Sequence, residues 1–394
     1  MKQKLIYVLF IVSLIQLKAQ GLSEQEKQEI INSLSIVTDD SIGTDHYAPY
    51  AIERIIEDEI KEAEQAIIEN IWKQDPYTQT RFLDALRLLG SDKAEELTLA
   101  FIDSVDHYPE DEYFTKLELK TLVLYILFQK SNFSHYQIVY DRLEEDWEEA
   151  CGETVDLLYY IAKGMPSERE RAKRELMKIA EKAGDYAFRI YALSFLDEIY
   201  GEEMIPFFIE RFKNDESSDV RFVIAKFRFS NYKNTEIKNA LREQIYKEQE
   251  GIVRRRIADE LITRYNSPEV SKFLKDYLPL ELDSNYQFLI NDLLISKPPK
   301  PDSSETPQSM IDSLISYNNQ CYELGWLSYE WVWNINKTQL ENARLMLNTG
   351  YPSSTAIILQ AYENWVNTAK GYGWINEDAY RFLYYYSVYL RERL

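Results

Sequence analysis

The stretch Asn214–Phe227, NDESSDVRFVIAKF, decides how the chain is read. A polar run of capping residues leads into Val220-Arg221, and apolar side chains follow at Val223, Ile224 and Phe227. These positions fall at the i, i+3, i+4, i+7 spacing of a helix with one apolar face. The phrase recurs. DPYTQTRFLDALRLLG starts at Asp75, GDYAFRIYALSFLDEIYG at Gly184 and EGIVRRRIADELITRY at Glu250. The recurring arginines are Arg81, Arg189, Arg221 and Arg254, the last three spaced by 32 and 33 residues. The gap from Arg81 to Arg189 leaves room for two weaker copies, near Lys120 (KTLVLYILF) and Val155 (TVDLLYYIA). A fixed period of this size predicts stacked pairs of antiparallel helices, because one pair cannot bury both of its faces and its neighbours must cover them.

The rest of the chain agrees with an all-α reading. Phe188, Tyr191, Ala192 and Phe195 repeat the helical spacing, as do Ile205, Phe208, Ile209 and Phe212, and again Val270, Phe273, Leu274 and Tyr277. Asp75-Pro76 and Ser267-Pro268 place a capping residue before proline at the first helical position. Ser23 with Glu26 reads as a capping box. Glycine and proline, which helix interiors tolerate poorly, number only 12 each in 394 residues. With 45% hydrophobic and 28% charged residues, the chain has enough apolar side chains for a core.

The arrangement resembles HEAT repeats, in the short form of about thirty residues found in phycobilin-lyase-like proteins. The residues that carry the resemblance are Asp75, Thr80-Arg81 and Ala85; Asp185, Phe188-Arg189 and Ala192; Asp215, Val220-Arg221 and Ala225; and Val253-Arg254 with Ala258. It covers roughly Ile67 to Leu294. The resemblance implies that each arginine pairs with a carboxylate or with carbonyls between repeats, as a structural tie rather than a catalytic group. The copies between Ser104 and Lys182 depart from the pattern, with lysine or aspartate where the arginine belongs.

KPPKPDSSETPQ, Lys297–Gln308, breaks the pattern with four prolines and reads as an extended spacer. Beyond it lie Trp326, Trp331, Trp333, Trp365 and Trp374, five of the chain's seven tryptophans. Helices are expected at 309–323, 327–348, 353–370 and 376–393, ended by Gly325, Gly350 and Gly371 or Gly373. The spacing of Met310-Ile311, Leu314-Ile315, Gly325, Leu327, Leu340, Leu345, Leu347, Gly350, Ala356, Leu359, Val366, Ala379 and Leu383 is similar to the FIMAT-type module of secreted bacterial proteins. The expected organisation is a signal peptide at 1–20, a HEAT-like α-solenoid at 21–296, a proline-rich linker at 297–308 and a small helical bundle at 309–394.

Lys2 and Lys4 precede the apolar run Leu5–Leu17, and Ala19 offers a small residue for cleavage. Export to the periplasm or the exterior is therefore expected, the alternative being an uncleaved anchor helix. No later stretch has the length of a membrane span; TLVLYILF, Thr121–Phe128, suits a core helix. The net charge of −21 works against nucleic-acid partners. Export permits a disulfide between Cys151 and Cys321, but two separate buried thiols would equally explain them.

Catalytic signatures are absent. His46, His107 and His135 are not paired at metal-ligand spacing, two distant cysteines make no zinc site, and neither a phosphate loop nor a nucleophile elbow occurs. No metal and no cofactor is implied. The acidic stretches Asp39–Tyr47 and Asp103–Glu112 lack an EF-hand's spacing and read as solvated turns. Trp326, Trp331, Trp333 and Trp374 could stack on sugars, or could fill the core of a small bundle. Two functions follow as expectations. One is a non-catalytic exported scaffold that binds a protein partner through the repeat face; the other is a carbohydrate-binding accessory protein that uses the C-terminal aromatics.

Overall fold

The computed structural model describes residues 22–36, 48–108, 114–296 and 299–394. The stretches read as a signal peptide (1–20) and as an acidic turn at Asp39–Tyr47 lie outside the described residues, as does part of Asp103–Glu112. The fold is all-α, and among the described residues the only β pairing is one isolated antiparallel bridge, Leu327 with Ile375. No described helix is long and apolar enough to cross a membrane.

The chain divides into two compact units between Ile199 and Tyr200. The first holds α1 (Glu24–Ser33), α2 (Ala48–Glu57), α3 (Glu64–Asn70), α4 (Pro76–Leu88), α5 (Ala94–Val105), α6 (Lys116–Gln129), α7 (Gln137–Glu145), α8 (Trp147–Gly164), α9 (Arg169–Lys182) and all but the last residue of α10 (Tyr186–Tyr200). The second holds α11 (Ile205–Asn214), α12 (Ser218–Val223), α13 (Thr235–Gln244), α14 (Gly251–Arg264), α15 (Pro268–Tyr277), α16 (Ser284–Ser296), α17 (Pro307–Glu323), α18 (Glu330–Asn348), α19 (Pro352–Gly371), α20 (Glu377–Tyr380) and α21 (Tyr386–Glu392). The boundary thus falls inside the segment read as one array, and the proline-rich stretch lies within the second unit.

Helix starts are set by the side chains that the sequence puts there. Ser23 and Glu26 close a capping box on α1, Thr115 and Glu118 close one on α6, and Asp75 and Ser267 accept the Thr78 and Val270 amides ahead of Pro76 and Pro268. Each such cap stabilises its helix by about 1 kcal/mol. Helices pack on their sequence neighbours and also on the next but one. In the first unit α2 packs on α4, α4 on α6 and α6 on α8; in the second α12 packs on α14 and α14 on α16. Gly251 at the start of α14 allows the last of these approaches, since a Cβ there would overlap the Tyr286 ring of α16.

The recurring arginines of the second unit tie successive turns together. Arg221 of α12 grips the Glu248 carboxylate with a two-pronged fork, Nε to Oε2 and Nη2 to Oε1 both at 2.7 Å, while its Nη1 donates to the Asp215 carbonyl at 2.7 Å. Arg254 of α14 repeats this on Glu281 at 2.7 and 2.6 Å, and its Nη1 donates to the Glu248 and Gln249 carbonyls at 3.1 and 2.6 Å. Glu248 therefore receives one arginine on its side chain and the next on its backbone, a running ladder between the turns that precede α12, α14 and α16. Each acid also caps its own turn, Glu248 accepting the Glu250 amide at 3.0 Å and Glu281 the Asp283 amide at 3.1 Å. The carboxylates stand six residues before the next arginine position, and at α16 that position is Gln287, where the ladder stops.

The helix that begins at Ser218 does not keep α geometry. From Ile224 to Arg228 it widens into a π turn. The buried side chains are Val220, Ile224, Ala225 and Phe229, whereas Phe227, expected in the core, is 46% exposed. A π turn inserts one residue into the helical repeat, so the apolar face resumes a step later than α spacing dictates. Phe229 packs edge-on against Phe212 of α11, with ring centroids 5.1 Å apart. Arg256 of α14 also holds this region. Its Nη2 donates to the Lys226 carbonyl at 3.3 Å and to the buried Glu260 carboxylate at 2.8 Å.

The described part of the proline-rich stretch is pinned rather than a solvated spacer. Pro299 and Pro301 are buried. Arg393 donates to the Glu305 and Asp302 carbonyls at 2.8 and 3.0 Å, and the Tyr386 hydroxyl donates to the Glu305 carboxylate at 2.6 Å. The bundle that follows is built from α17, α18, α19 and the broken α20–α21 helix, which carries a second π turn at Arg381–Tyr385. Met310, Ile311, Leu314, Leu340, Leu359, Val366, Ala379 and Leu383 fill its core, and Leu345 lies outside it. Gly325, Gly350 and Gly373 all adopt positive φ at the turns, a conformation that glycine adopts without strain.

Candidate functional site

Arg81 departs from its three counterparts. It is 41% exposed at the side chain, and its one ion partner among the described residues is Glu53, at 4.0 Å. The ladder carboxylates lie 27 residues beyond their arginines, and the residue 27 beyond Arg81 is Tyr108. Arg189 also makes the carbonyl contact of the pattern, its Nη1 donating to the Ala183 carbonyl at 2.6 Å.

Arg81 lines a groove of about 340 Å³ that crosses α4, α6 and α8. Tyr77, Asp84 and Arg87 come from α4, Leu122 and Tyr125 from α6, and Glu153, Asp156 and Leu157 from α8. Buried Thr80 of α4 and Thr121 of α6 also line it. Most of the polar groups are already engaged. Arg87 pairs with Asp84 at 2.7 Å and lies 5.0 Å over the Tyr125 ring, while Glu153 accepts from Arg142 at 3.1 Å. Asp156 makes no ion pair or hydrogen bond among the described residues, and desolvation by the groove walls raises its carboxyl although the residue stays accessible from the open side. Tyr77, stacked on Phe114 at 4.7 Å, and Leu122 are each 40% exposed.

Behind the groove sits a cluster that the repeat pattern does not announce. Arg142 of α7 is 1% exposed. It faces Glu118 at 3.9 Å, Glu145 at 3.2 Å and Glu153 at 3.1 Å. Burial, and then the neighbouring Glu153, push the Glu118 carboxyl above its usual range against the pull of Arg142. No group of His, Cys, Asp and Glu among the described residues is arranged to hold a metal ion.

The four tryptophans singled out from the sequence divide between core and surface. Trp326 is buried in the bundle core. Trp333 is half-buried, stacked on Tyr322 at 5.1 Å, with its indole N–H donating to Asn319 at 2.9 Å. Trp331 and Trp374 come together, with ring centroids 4.7 Å apart and planes at 75°. The Leu327–Ile375 bridge places them: the Ser328 amide donates to the Trp374 carbonyl at 2.9 Å and the Asn376 amide to the Trp326 carbonyl at 3.1 Å. Trp365 backs the pair at 6.1 and 6.0 Å and donates to buried Asn336, which in turn donates to buried Asn318. Tyr329 stacks beside Trp331 and Tyr372 beside Trp374, and Tyr329, Trp331 and Tyr372 are 50%, 42% and 68% exposed.

Cys151 and Cys321 are not bonded to each other. Both are free and buried, one in each unit. Burial pushes both thiols above their ordinary range, Cys321 far above it. Neither is expected to react with an alkylating reagent in the folded chain, both are expected to react in denaturant, and dithiothreitol should leave the melting temperature unchanged. Mass spectrometry and a melting curve check this; a melting temperature lowered by the reductant would contradict the free thiols.

Comparison of the chain with family models, with curated proteins and with solved structures found no match.

Proposed function

We propose that this chain is an exported, non-catalytic scaffold of HEAT-like α-solenoid type that takes a segment of a partner protein in the groove across α4, α6 and α8. The repeated arginine phrase and the next-but-one packing of helices support the solenoid reading. The charged, apolar N-terminal stretch from Lys2 to Ala19 supports export. The observation that carries the binding reading is the groove itself. It spans three helices that pack in succession, it exposes Tyr77 and Leu122, and it leaves Arg81 and Asp156 without close ion partners among the described residues. Such a surface offers a chain an apolar seat with one charge of each sign to fix its direction.

Site-directed photo-crosslinking tests this. A photo-reactive residue at Leu122 should capture one discrete partner from envelope or culture fractions, and Arg81→Glu or Tyr77→Ala should remove that product. The same label at exposed Leu345 of the bundle should capture nothing equivalent. A product that survives both groove substitutions, or no product at Leu122, would refute the reading.

A further inference from the structure

The C-terminal module carries a second surface whose chemistry differs from that of the groove. Its rings are held rigidly. The Leu327–Ile375 bridge joins the two segments that bear them, and Trp365 and the Asn336–Asn318 pair brace them from inside. Tyr329 and Trp331 lie within 18° of parallel, and Tyr372 and Trp374 within 20°. The indole N–H groups of Trp331 and Trp374 and the hydroxyls of Tyr329 and Tyr372 make no hydrogen bond among the described residues. The Glu330 carboxylate and the Asn334 amide, at and one turn into the start of α18, likewise have no partner there.

Two observations say what this surface fits. First, the large exposed apolar side chains here are all aromatic. The module's exposed aliphatic residues, Leu345 and Ile357, lie near the α18–α19 turn, and Leu345 is about 21 Å along α18 from Trp331 by helical rise. Protein-docking surfaces mix aliphatic with aromatic groups, whereas flat rings edged by unfilled donors and acceptors match the C–H faces and hydroxyls of a sugar ring. Second, the chain has a net charge of −21, and Glu330 stands between Tyr329 and Trp331 in the sequence, so polyanionic glycans are repelled. Lys370, the nearby cation, is already paired with Glu377 at 2.7 Å and lies 3.9 Å over the Tyr380 ring.

We propose that Tyr329, Trp331 and Tyr372, with half-buried Trp374 stacked against Tyr372, form a stacking platform for a neutral, pyranose-based glycan chain. This site is independent of the α4–α6–α8 groove and stands or falls separately from it. The rings take the apolar sugar faces, and the ring N–H and O–H groups with Glu330 and Asn334 take the hydroxyls.

Native gels cast with hydroxyethylcellulose, galactomannan, laminarin or soluble starch, and with polygalacturonate as the anionic control, test it on the full chain. The expected result is retardation in at least one neutral gel and none in polygalacturonate. Trp331→Ala or Tyr372→Ala should weaken that retardation by about tenfold in dissociation constant. Tyr372 is 68% exposed and Trp331 42%, so circular dichroism should show both variants folded, and Tyr372→Ala stands in if Trp331→Ala is not. Unchanged mobility of the wild type in every neutral gel overturns the proposal, as does retardation that both folded variants retain. A concentration-dependent rise in sedimentation coefficient that Trp331→Ala abolishes, with no glycan retardation, would assign the platform to a second copy of the chain instead.

Discussion

Arg254→Ala is expected to destabilise the second unit by about 3 kcal/mol, whereas Arg81→Ala, the same substitution in the same phrase, changes stability by no more than about 0.5 kcal/mol. The difference lies in what each guanidinium leaves behind. Arg254 is 13% exposed at the side chain and its partner Glu281 is 0% exposed, so the truncation strands a carboxylate whose remaining partners are the Tyr277 hydroxyl and the Asp283 amide. It also strands two carbonyls, of Glu248 and Gln249. Arg81 and Glu53 are 41% and 61% exposed and both rehydrate. Urea unfolding followed by circular dichroism reads the two values, fitted as two transitions if the units unfold separately.

Acid should erode this stabilisation, and the sign follows from Glu248 and Glu281. Burial alone would raise both carboxyls, but Arg221 on the first, and Arg254 with the Tyr277 hydroxyl on the second, outweigh it and hold them below their usual range. A carboxyl depressed in the folded state contributes stability that is present above its unfolded pKa and lost as pH falls through the folded value. The ladder therefore contributes fully at neutral pH and fades below about pH 4. The Arg254→Ala penalty should shrink over the same range, because the stranded Glu281 can then take up a proton.

Phe229→Ala should cost the second unit about 3–5 kcal/mol and Phe227→Ala about 0.5 kcal/mol or less. Spacing alone assigns the larger effect to Phe227, at i+7 from Val220. The π turn reverses the assignment. Phe229 is 0% exposed and packs edge-on to Phe212, while Phe227 is 46% exposed with the Lys226 ammonium 4.7 Å over its ring. Deleting the Phe229 ring leaves a cavity between α11 and the π turn that close-packed neighbours fill only in part. The same urea titration measures both variants, and a larger loss for Phe227→Ala would mean that the helix runs on in α geometry.

What could be read from the sequence was what local chemistry determines. Caps at Ser23, Asp75 and Ser267, and glycine turns at Gly325 and Gly350, depend on a few adjacent residues and stand where expected. Gly373 rather than Gly371 takes the positive φ, because α19 runs on to Gly371. The pairing of Arg221 and Arg254 was expected only from the resemblance to HEAT repeats, which implied a tie between repeats. Their glutamate partners were not named, although the six-residue step from Glu248 to Arg254 was there to be found. The π turn was hidden because Val220 and Ile224 fit both helix types, and only Phe229 tells them apart. Arg142 was missed for a different reason. It lies on α7, outside the repeated phrase, and Glu118 of α6 and Glu153 of α8 join its helical neighbour Glu145 around it only after folding. Arg81 carries the phrase without a carboxylate 27 residues on, so it could not serve as a tie and faces the groove instead. The tryptophans split because periodicity places a side chain on a face, whereas a bridge between two distant turns decides which faces see water.

The central claim is that Arg221 and Arg254 knit the turn before one helix to the turn before the next but one. A double-mutant cycle on Arg254 and Glu281, using Arg254→Ala, Glu281→Ala and the double variant in urea unfolding, tests it most directly. The account predicts a coupling energy of about 2 kcal/mol or more at pH 7, well above that of the exposed Arg81–Glu53 pair in the same assay. A coupling indistinguishable from that of the exposed pair would contradict it.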